Sequence, residues 1–414
     1  MVDKLEKVSN EDTLTMENAL HDLNKDLLNV AKIKRQIEKG NIEAIQTFDN
    51  HRSFKTIKEL RNKVTTQSVY KHTKIASPKT LEDVKNHILD HLTQTQNPSD
   101  CNKQNKLLCH LAKPCEFACQ FHHLVYCFIV GYTTNRTVVI DATDMDYSIK
   151  GWEDVFRPVS TTCTSVSADE YDISTPECAM EALHPQDKWM NLTLCQSSHV
   201  ISLPPLDWLI DPPRYITSGI PDDVAILLSV HISADEALLF WISTLVGFLF
   251  QLNDNMEKEA KSFEFGMGIN HPVVGLDIKR VDVDNHSLKA YMDHVDRYYD
   301  AMDPDGIFIR RRVYLVTDDP DIRSEARDTY QNYQFITNTH YVYLEETGIS
   351  PITGDELKHN VRDLYILSEC DFVVGTFSSQ ISRLTFELKT FKDDEFEIAF
   401  DNMVSLDSKY FFTE

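Results

Sequence analysis

No hydrophobic run in this 414-residue chain approaches the length of a membrane span. The longest, residues 237–250 (ALLFWISTLVGFLF), is broken by Ser243, Thr244 and Gly247, and it reads as a buried helix. The opening stretch MVDKLEKVSNED lacks the apolar core of a secretory signal. Cations are also scarce: 41 Lys and Arg against 65 Asp and Glu give a net charge of -24. Such a field repels nucleic acid and anionic membrane surfaces, so an anionic ligand needs a local cationic pocket. Neither GxxxxGK[ST] nor GxGxxG occurs, which removes a Walker-type ATPase and leaves no fingerprint for a dinucleotide. What remains is ordinary globular composition, 42% hydrophobic and 26% charged, in a chain long enough for two or three domains.

Cysteine is abundant and clustered. Six of nine fall between Cys101 and Cys163, namely Cys101, Cys109, Cys115, Cys119, Cys127 and Cys163; the others are Cys178, Cys195 and Cys370. Zinc knuckles would want paired CxxC motifs, which these spacings do not supply, so the cluster reads as a disulfide knot rather than a metal site. Sequons at Asn135, Asn191 and Asn285 agree with an oxidising lumen, though so short a pattern recurs by chance.

Three regions separate along the chain. Residues 1–95 are charged and rich in helix formers, and Met16, Leu20, Leu23, Leu27, Val30 and Ile37 follow heptad spacing broken by Lys34. This seam admits two readings: a coiled-coil stem that makes a homodimer, or a long helix folded back on its own domain. Residues 96–265 mix strands such as TVVID (137–141) with the cysteine cluster and an aromatic loop, GWEDVFRP (151–158). In residues 266–414, strands alternate with helices: VVGLDI, a helix over 288–302, VYLVT, a helix after Pro320, then FVVG and its helix. That alternation predicts an α/β fold with a parallel, Rossmann-like sheet whose ligands lie at the carboxyl ends of the strands.

Polar residues gather at those ends. The first strand runs into Lys279-Arg280-Val281-Asp282, the second into Thr317-Asp318-Asp319-Pro320, and the third into Thr376-Phe377-Ser378-Ser379-Gln380. Cations and a hydroxyl-lined helix start suit a pyrophosphate, and carboxylates suit ribose hydroxyls or a base with N–H donors such as guanine. A nucleoside-diphosphate ligand is the leading expectation; the plain alternative is that Ser378 or Ser379 only caps the helix. Asp144-Met145-Asp146 matches the Asp-x-Asp of metal-dependent sugar transferases, a pattern that so acidic a chain produces by chance.

The blocks QNPSDC (96–101), CNKQNKLLCHLAKPCEFACQFHHLVYCF, GWEDVFRPVSTTC, HPVVGLDIKRVD, VYLVTDDP and FVVGTFSSQ together resemble the eukaryotic α1,6-fucosyltransferases that core-fucosylate N-glycans. The resemblance implies a helical coiled-coil segment, an open α/β domain and a Rossmann-like domain in a GT-B-like glycosyltransferase. It implies GDP-fucose as donor, no cofactor and no metal, and inverting transfer to the 6-hydroxyl of the innermost N-acetylglucosamine of an N-glycan or glycoprotein. It also implies the Golgi lumen and a type II membrane protein, whose N-terminal anchor and C-terminal SH3-like domain have no counterpart here. By position it pairs Cys101 with Cys163, Cys109 with Cys127 and Cys115 with Cys119. A fourth family bridge would join residues 375 and 382, where this chain has Gly375 and Ser382.

Residue by residue, Asp363 stands for the family's guanine-binding aspartate. Tyr147, Asp318, Asp319, Ser379 and Gln380 match other donor-site positions, Ser378 lies beside them, and Asp282 matches a carboxylate at the sugar end. Lys279 replaces the first of two adjacent arginines, the second being Arg280, and Asp277 replaces a histidine. The loop after Asp282 is shorter than in the family and holds no glutamate, which leaves Asp284 as the nearby carboxylate for a general base. Two functions follow: a working α1,6-fucosyltransferase, or a catalytically impaired relative that binds GDP or glycan or serves as a coiled-coil scaffold.

Overall fold

The computed structural model describes residues 80–111, 117–142, 151–167, 170, 198–203, 220–279, 286–306, 309–338, 356–393, 396 and 401–407. All of them belong to one compact unit, Lys79–Glu414. The heptad seam, the Asp144-Met145-Asp146 motif, Cys115, Cys178 and Cys195 lie outside the described residues.

Helix α1 (Leu81–Gln96) starts with a reciprocal cap in which Thr80 and Asp83 each accept the other's backbone N–H. It falls within the stretch assigned to the stem, yet Val84, Ile88 and Leu92 are buried in the main apolar cluster, so it is part of the first α/β domain. Strands β1 (Lys106–His110), β2 (Thr137–Asp141) and β3 (Val200–Leu203) form a parallel sheet in the order β2-β1-β3. Between β1 and β2 runs α2 (Phe117–Thr134), buried on every side from Phe117 to Tyr132 as its near-continuous apolar sequence requires. Next come α3 (Asp222–Leu228), α4 (Ala234–Leu249) and α5 (Asp254–Gly266). The 237–250 run therefore forms most of a buried helix, and among the described residues no helix is long and apolar enough to cross a membrane. The GWEDVFRP loop sends Trp152, Val155 and Phe156 into the core while Glu153, Arg157 and Pro158 stay exposed, and the Trp152 and Phe156 rings stack at 4.2 Å.

The second sheet comprises β4 (Val273–Ile278), β5 (Arg312–Thr317), β6 (Gln334–Ile336), β7 (Phe372–Gly375) and β8 (Met403–Ser405), all parallel, in the order β6-β5-β4-β7-β8. Its helices are α6 (Leu288–Met302), α7 (Pro320–Thr329), α8 (Glu356–Glu369) and α9 (Gln380–Lys392). Counted within this half, the order is 3-2-1-4-5, that of a doubly wound nucleotide-binding sheet, and its direction reverses between β4 and β7. The period of two in β4 sends Val274, Leu276 and Ile278 into a cluster with Tyr291, Met292 and Val295 of α6. Asp277 consequently points to the other face, where α9 lies.

Two disulfides between described residues staple the first domain: Cys101–Cys163, with Cα atoms 5.2 Å apart, and Cys109–Cys127, 6.1 Å apart. Cys109, His123 and Cys127 are grouped as metal ligands would be, but the two sulfurs are bonded to each other. Cys119 is also disulfide-bonded. Helix α9 carries the second half onto the first. At Gly247 of α4 a Cβ would lie 2.1 Å from the Phe391 ring, so only glycine fits beneath that ring. Nearby, His122 of α2 meets Glu387 of α9 at 2.9 Å, both buried.

Candidate active site

The order reverses between β4 and β7, which is where a doubly wound sheet forms its ligand crevice, and three strand ends there carry residues singled out by sequence. Lys279 follows β4, and its Nζ stands 4.0 Å from Asp318 Oδ2 at the end of β5. Asp319 caps α7 by accepting the Asp321 N–H at 2.9 Å, while its own N–H donates to Thr317 Oγ1. Gln380 begins α9 directly after Ser379. Arg280, Asp282, Asp284 and Tyr147 lie outside the described residues.

Ser379 does less for an anion than its position suggests. Its Oγ accepts the Ser382 N–H, which makes it the cap of α9, and it donates to Asp277 Oδ2 at 2.7 Å. The N–H of Phe377 and that of Ser378 point at Asp407, at 2.7 and 2.8 Å. Two carboxylates of the chain thus occupy donors expected to serve a phosphate. The N–H groups of Gln380 and Ile381, in the first turn of α9, are the donors such a helix start still offers.

Asp277 is fully buried. Oδ2 accepts hydrogen bonds from Ser379 at 2.7 Å and Ser382 at 2.6 Å, and Oδ1 has no partner among the described residues. Burial pushes its pKa above the usual carboxylate range, against the opposing pull of Lys279 and the two serine bonds.

Asp363 sits apart from the strand ends. It is buried on α8, where Oδ1 accepts from Tyr314 at 2.6 Å and from Asn338 at 3.0 Å. Tyr314 lies three residues before Thr317, where β5 ends, so the carboxylate is about 10 Å deeper along the strand direction than the crevice mouth.

A second set of strand ends holds a cluster that sequence reasoning missed. His110 ends β1, Asp141 ends β2 and Ser202 lies in β3. His110 Nδ1 donates to Asp141 Oδ2 at 2.8 Å, which leaves Nε2 to accept the Ser202 hydroxyl at 3.0 Å. The three are 31 and 92 residues apart in sequence, and their one shared signal is a polar residue at or near the end of a short apolar run. Beside them lies a cavity of about 430 Å³ lined by Asp141, Ala142, Trp152, Glu153 and Ser160 among others.

Residues 3–411 match the family model described as alpha-(1,6)-fucosyltransferase N- and catalytic domains. The chain belongs to this family. An alpha-(1,6)-fucosyltransferase of Drosophila melanogaster is 31% identical over 315 residues, covering 74% of this chain and 47% of that protein. One of Caenorhabditis elegans is 30% identical over 315 residues, covering 73% and 52% respectively. The chain thus spans about half the length of the curated relatives it matches. Among solved structures, a mutant of Arabidopsis thaliana FUT1 in complex with GDP superposes with a TM-score of 0.48 at 11% identity, over 78% of this chain and 80% of that one.

The positions at which the resemblance implies a change in this chain are neighbours. A Cβ at Gly375 would lie 2.3 Å from Ser382 Oγ and 2.9 Å from Ser382 Cβ, so residues 375 and 382 adjoin, closer than the roughly 3.5–4.5 Å between the Cβ atoms of a bridged pair. Where the resemblance puts a disulfide and a histidine, the chain has glycine, serine and aspartate, and the serine donates to the aspartate. Ser382 and Asp277 are thus hydrogen-bonded, and Gly375 packs directly against Ser382.

Proposed function

We propose that this chain transfers fucose from GDP-fucose to the 6-hydroxyl of an N-glycan core N-acetylglucosamine, with inversion and without a metal. The observation that carries the reading is the strand-order reversal between β4 and β7, where Lys279 and the start of α9 both lie beside Asp277. Bond breaking at the fucose anomeric carbon leaves negative charge on the pyrophosphate. A cation and helix-start N–H groups in a water-poor crevice stabilise that charge more as it grows than before. The depth of Asp363 suits the other end of a nucleotide, since a carboxylate accepts the paired N–H groups of guanine. Arg280 belongs beside Lys279 in this reading, and Tyr147 and Asp282 on the sugar side.

A second reading has its own observation. Asp277 places a buried carboxylate under the phosphate end, which would weaken the hold on an anionic donor and fits a relative that binds GDP or glycan with impaired turnover. The disulfides at Cys101–Cys163 and Cys109–Cys127 favour an oxidising lumen for either reading, and the Golgi follows from the family resemblance alone. Incubating the protein with GDP-fucose and an N-glycan acceptor, then weighing the glycan by mass spectrometry, separates the two. A gain of one deoxyhexose on the core supports the transferase. Bound GDP without product supports the impaired relative, and absence of both removes the nucleotide reading altogether.

A further inference from the structure

The transfer needs a group that takes the proton of the acceptor hydroxyl, and the shortened loop after Asp282 has lost the glutamate that the resemblance would put there. We infer that His110, oriented by Asp141, is that base; the inference rests on the fucosyl-transfer reading above.

Four observations carry it. First, the dyad has the required polarity: Asp141 holds the proton of His110 on Nδ1, and Nε2 is an acceptor already receiving a hydroxyl hydrogen, that of Ser202, at 3.0 Å. An alcohol of the acceptor sugar would make the same bond. Second, the site lies where an open parallel sheet binds ligands. The order β2-β1-β3 means that chain direction reverses between β1 and β3, and His110 and Ser202 belong to those two strands.

Third, the helices that follow the two sets of strand ends touch each other. Helix α2 starts just after β1, and α9 just after β7, each at the carboxyl end of its own sheet. His122 lies five residues beyond Phe117, and Glu387 seven beyond Gln380, and the two side chains meet at 2.9 Å. At 1.5 Å per helical residue, the helix starts stand about 8 and about 11 Å along their axes from that bond. Fourth, the dyad is partly open, since the His110 and Asp141 side chains keep 21% and 34% of their exposure, and Asp141, though not His110, lines the 430 Å³ cavity, a volume within the range of ligand sites.

The step balances as follows. The acceptor oxygen forms its bond to the fucose anomeric carbon, the bond from that carbon to the β-phosphate oxygen breaks, and its electron pair leaves with GDP. The acceptor's proton passes to His110 Nε2, and the imidazolium is held by Asp141 until solvent takes the proton. His110 is then a catalytic residue, and Asp141 a positioning one.

The test is steady-state release of GDP from GDP-fucose with an N-glycan acceptor, alongside calorimetric GDP binding and melting temperature. His110→Gln keeps hydrogen-bonding capacity but accepts no proton; its kcat should fall about a hundredfold or more, with KM for GDP-fucose and GDP affinity unchanged. Asp141→Asn should lower kcat in the same sense, and Asp141→Glu should recover part of the loss, a rescue that a merely structural role would not require. If His110→Gln melts early, the Asp141 pair decides. Turnover by His110→Gln within about threefold of the parent, or its retention there with loss in Asp284→Asn, would overturn the assignment. So would a parent protein that binds GDP-fucose and turns over no acceptor. A parent that binds no GDP-fucose would instead overturn the donor reading on which the assignment rests.

Discussion

Ser382 donates its hydroxyl hydrogen to Asp277 across 2.6 Å, and the same oxygen stands 2.3 Å from where a Cβ at residue 375 would be. Glycine at 375, serine at 382 and aspartate at 277 therefore depend on one another. Adding a methyl group at Gly375 forces Ser382 aside and breaks its bond to the buried carboxylate. Gly375→Ala should destabilise by about 1–3 kcal/mol in denaturant unfolding. The pair Gly375→Cys with Ser382→Cys should close a bridge only with a backbone shift toward the roughly 3.5–4.5 Å that a disulfide needs between Cβ atoms, detectable as a linked peptide under non-reducing mass mapping.

How much of this was legible in the sequence depended on the range of the contact. β4, β5 and β7 were read from short apolar runs, and α6 from its helical spacing, because those patterns are local. The gathering of Lys279, Asp318 and Ser379 at one end followed from strand–helix alternation. The bond from Ser379 to Asp277, 102 residues away, did not: a period of two says which residues share a face, not which helix will cover it. The helix-start serines turned out to be cap and carboxylate partner first, and Asp407, which takes two of the N–H groups, belongs to a segment that sequence gave no reason to place there. The His110 cluster was invisible because it requires the order β2-β1-β3, which no local pattern encodes.

The His122–Glu387 pair joins α2 to α9 with side chains 6% and 0% exposed. Removing one partner leaves the other buried without its complement. Glu387→Ala should cost about 3–5 kcal/mol by chemical denaturation and should loosen α9 in hydrogen exchange. Normal stability in this variant would mean that the pair holds nothing together.

Acid should reach the first domain through Glu170. Burial alone would raise its pKa, but hydrogen bonds from buried Lys106 and from Ser167 outweigh that and hold it at about 2, below the ordinary value of 4.5. A carboxylate with a depressed folded pKa stabilises fully above its unfolded pKa and loses that contribution as pH falls through the folded one. Melting temperature should therefore decline between pH 4.5 and about 2, and Glu170→Gln should flatten that decline while lowering stability at neutral pH.

Non-reducing mass mapping should recover Cys101 linked to Cys163 and Cys109 to Cys127. The resemblance adds Cys115 with Cys119, a bridge over so short a loop that it constrains the unfolded chain least. Stoichiometric zinc in the purified protein, with free thiols at Cys109 and Cys127, would contradict the knot.

The central claim is that the crevice between β4 and β7 holds the diphosphate of a guanine nucleotide, and calorimetric titration with GDP tests it most directly. The parent chain should bind one GDP, and Lys279→Ala should bind it about tenfold to a hundredfold more weakly at an unchanged melting temperature, the cost of losing one charged contact. Affinity for GDP that is the same in the parent and in Lys279→Ala would contradict it.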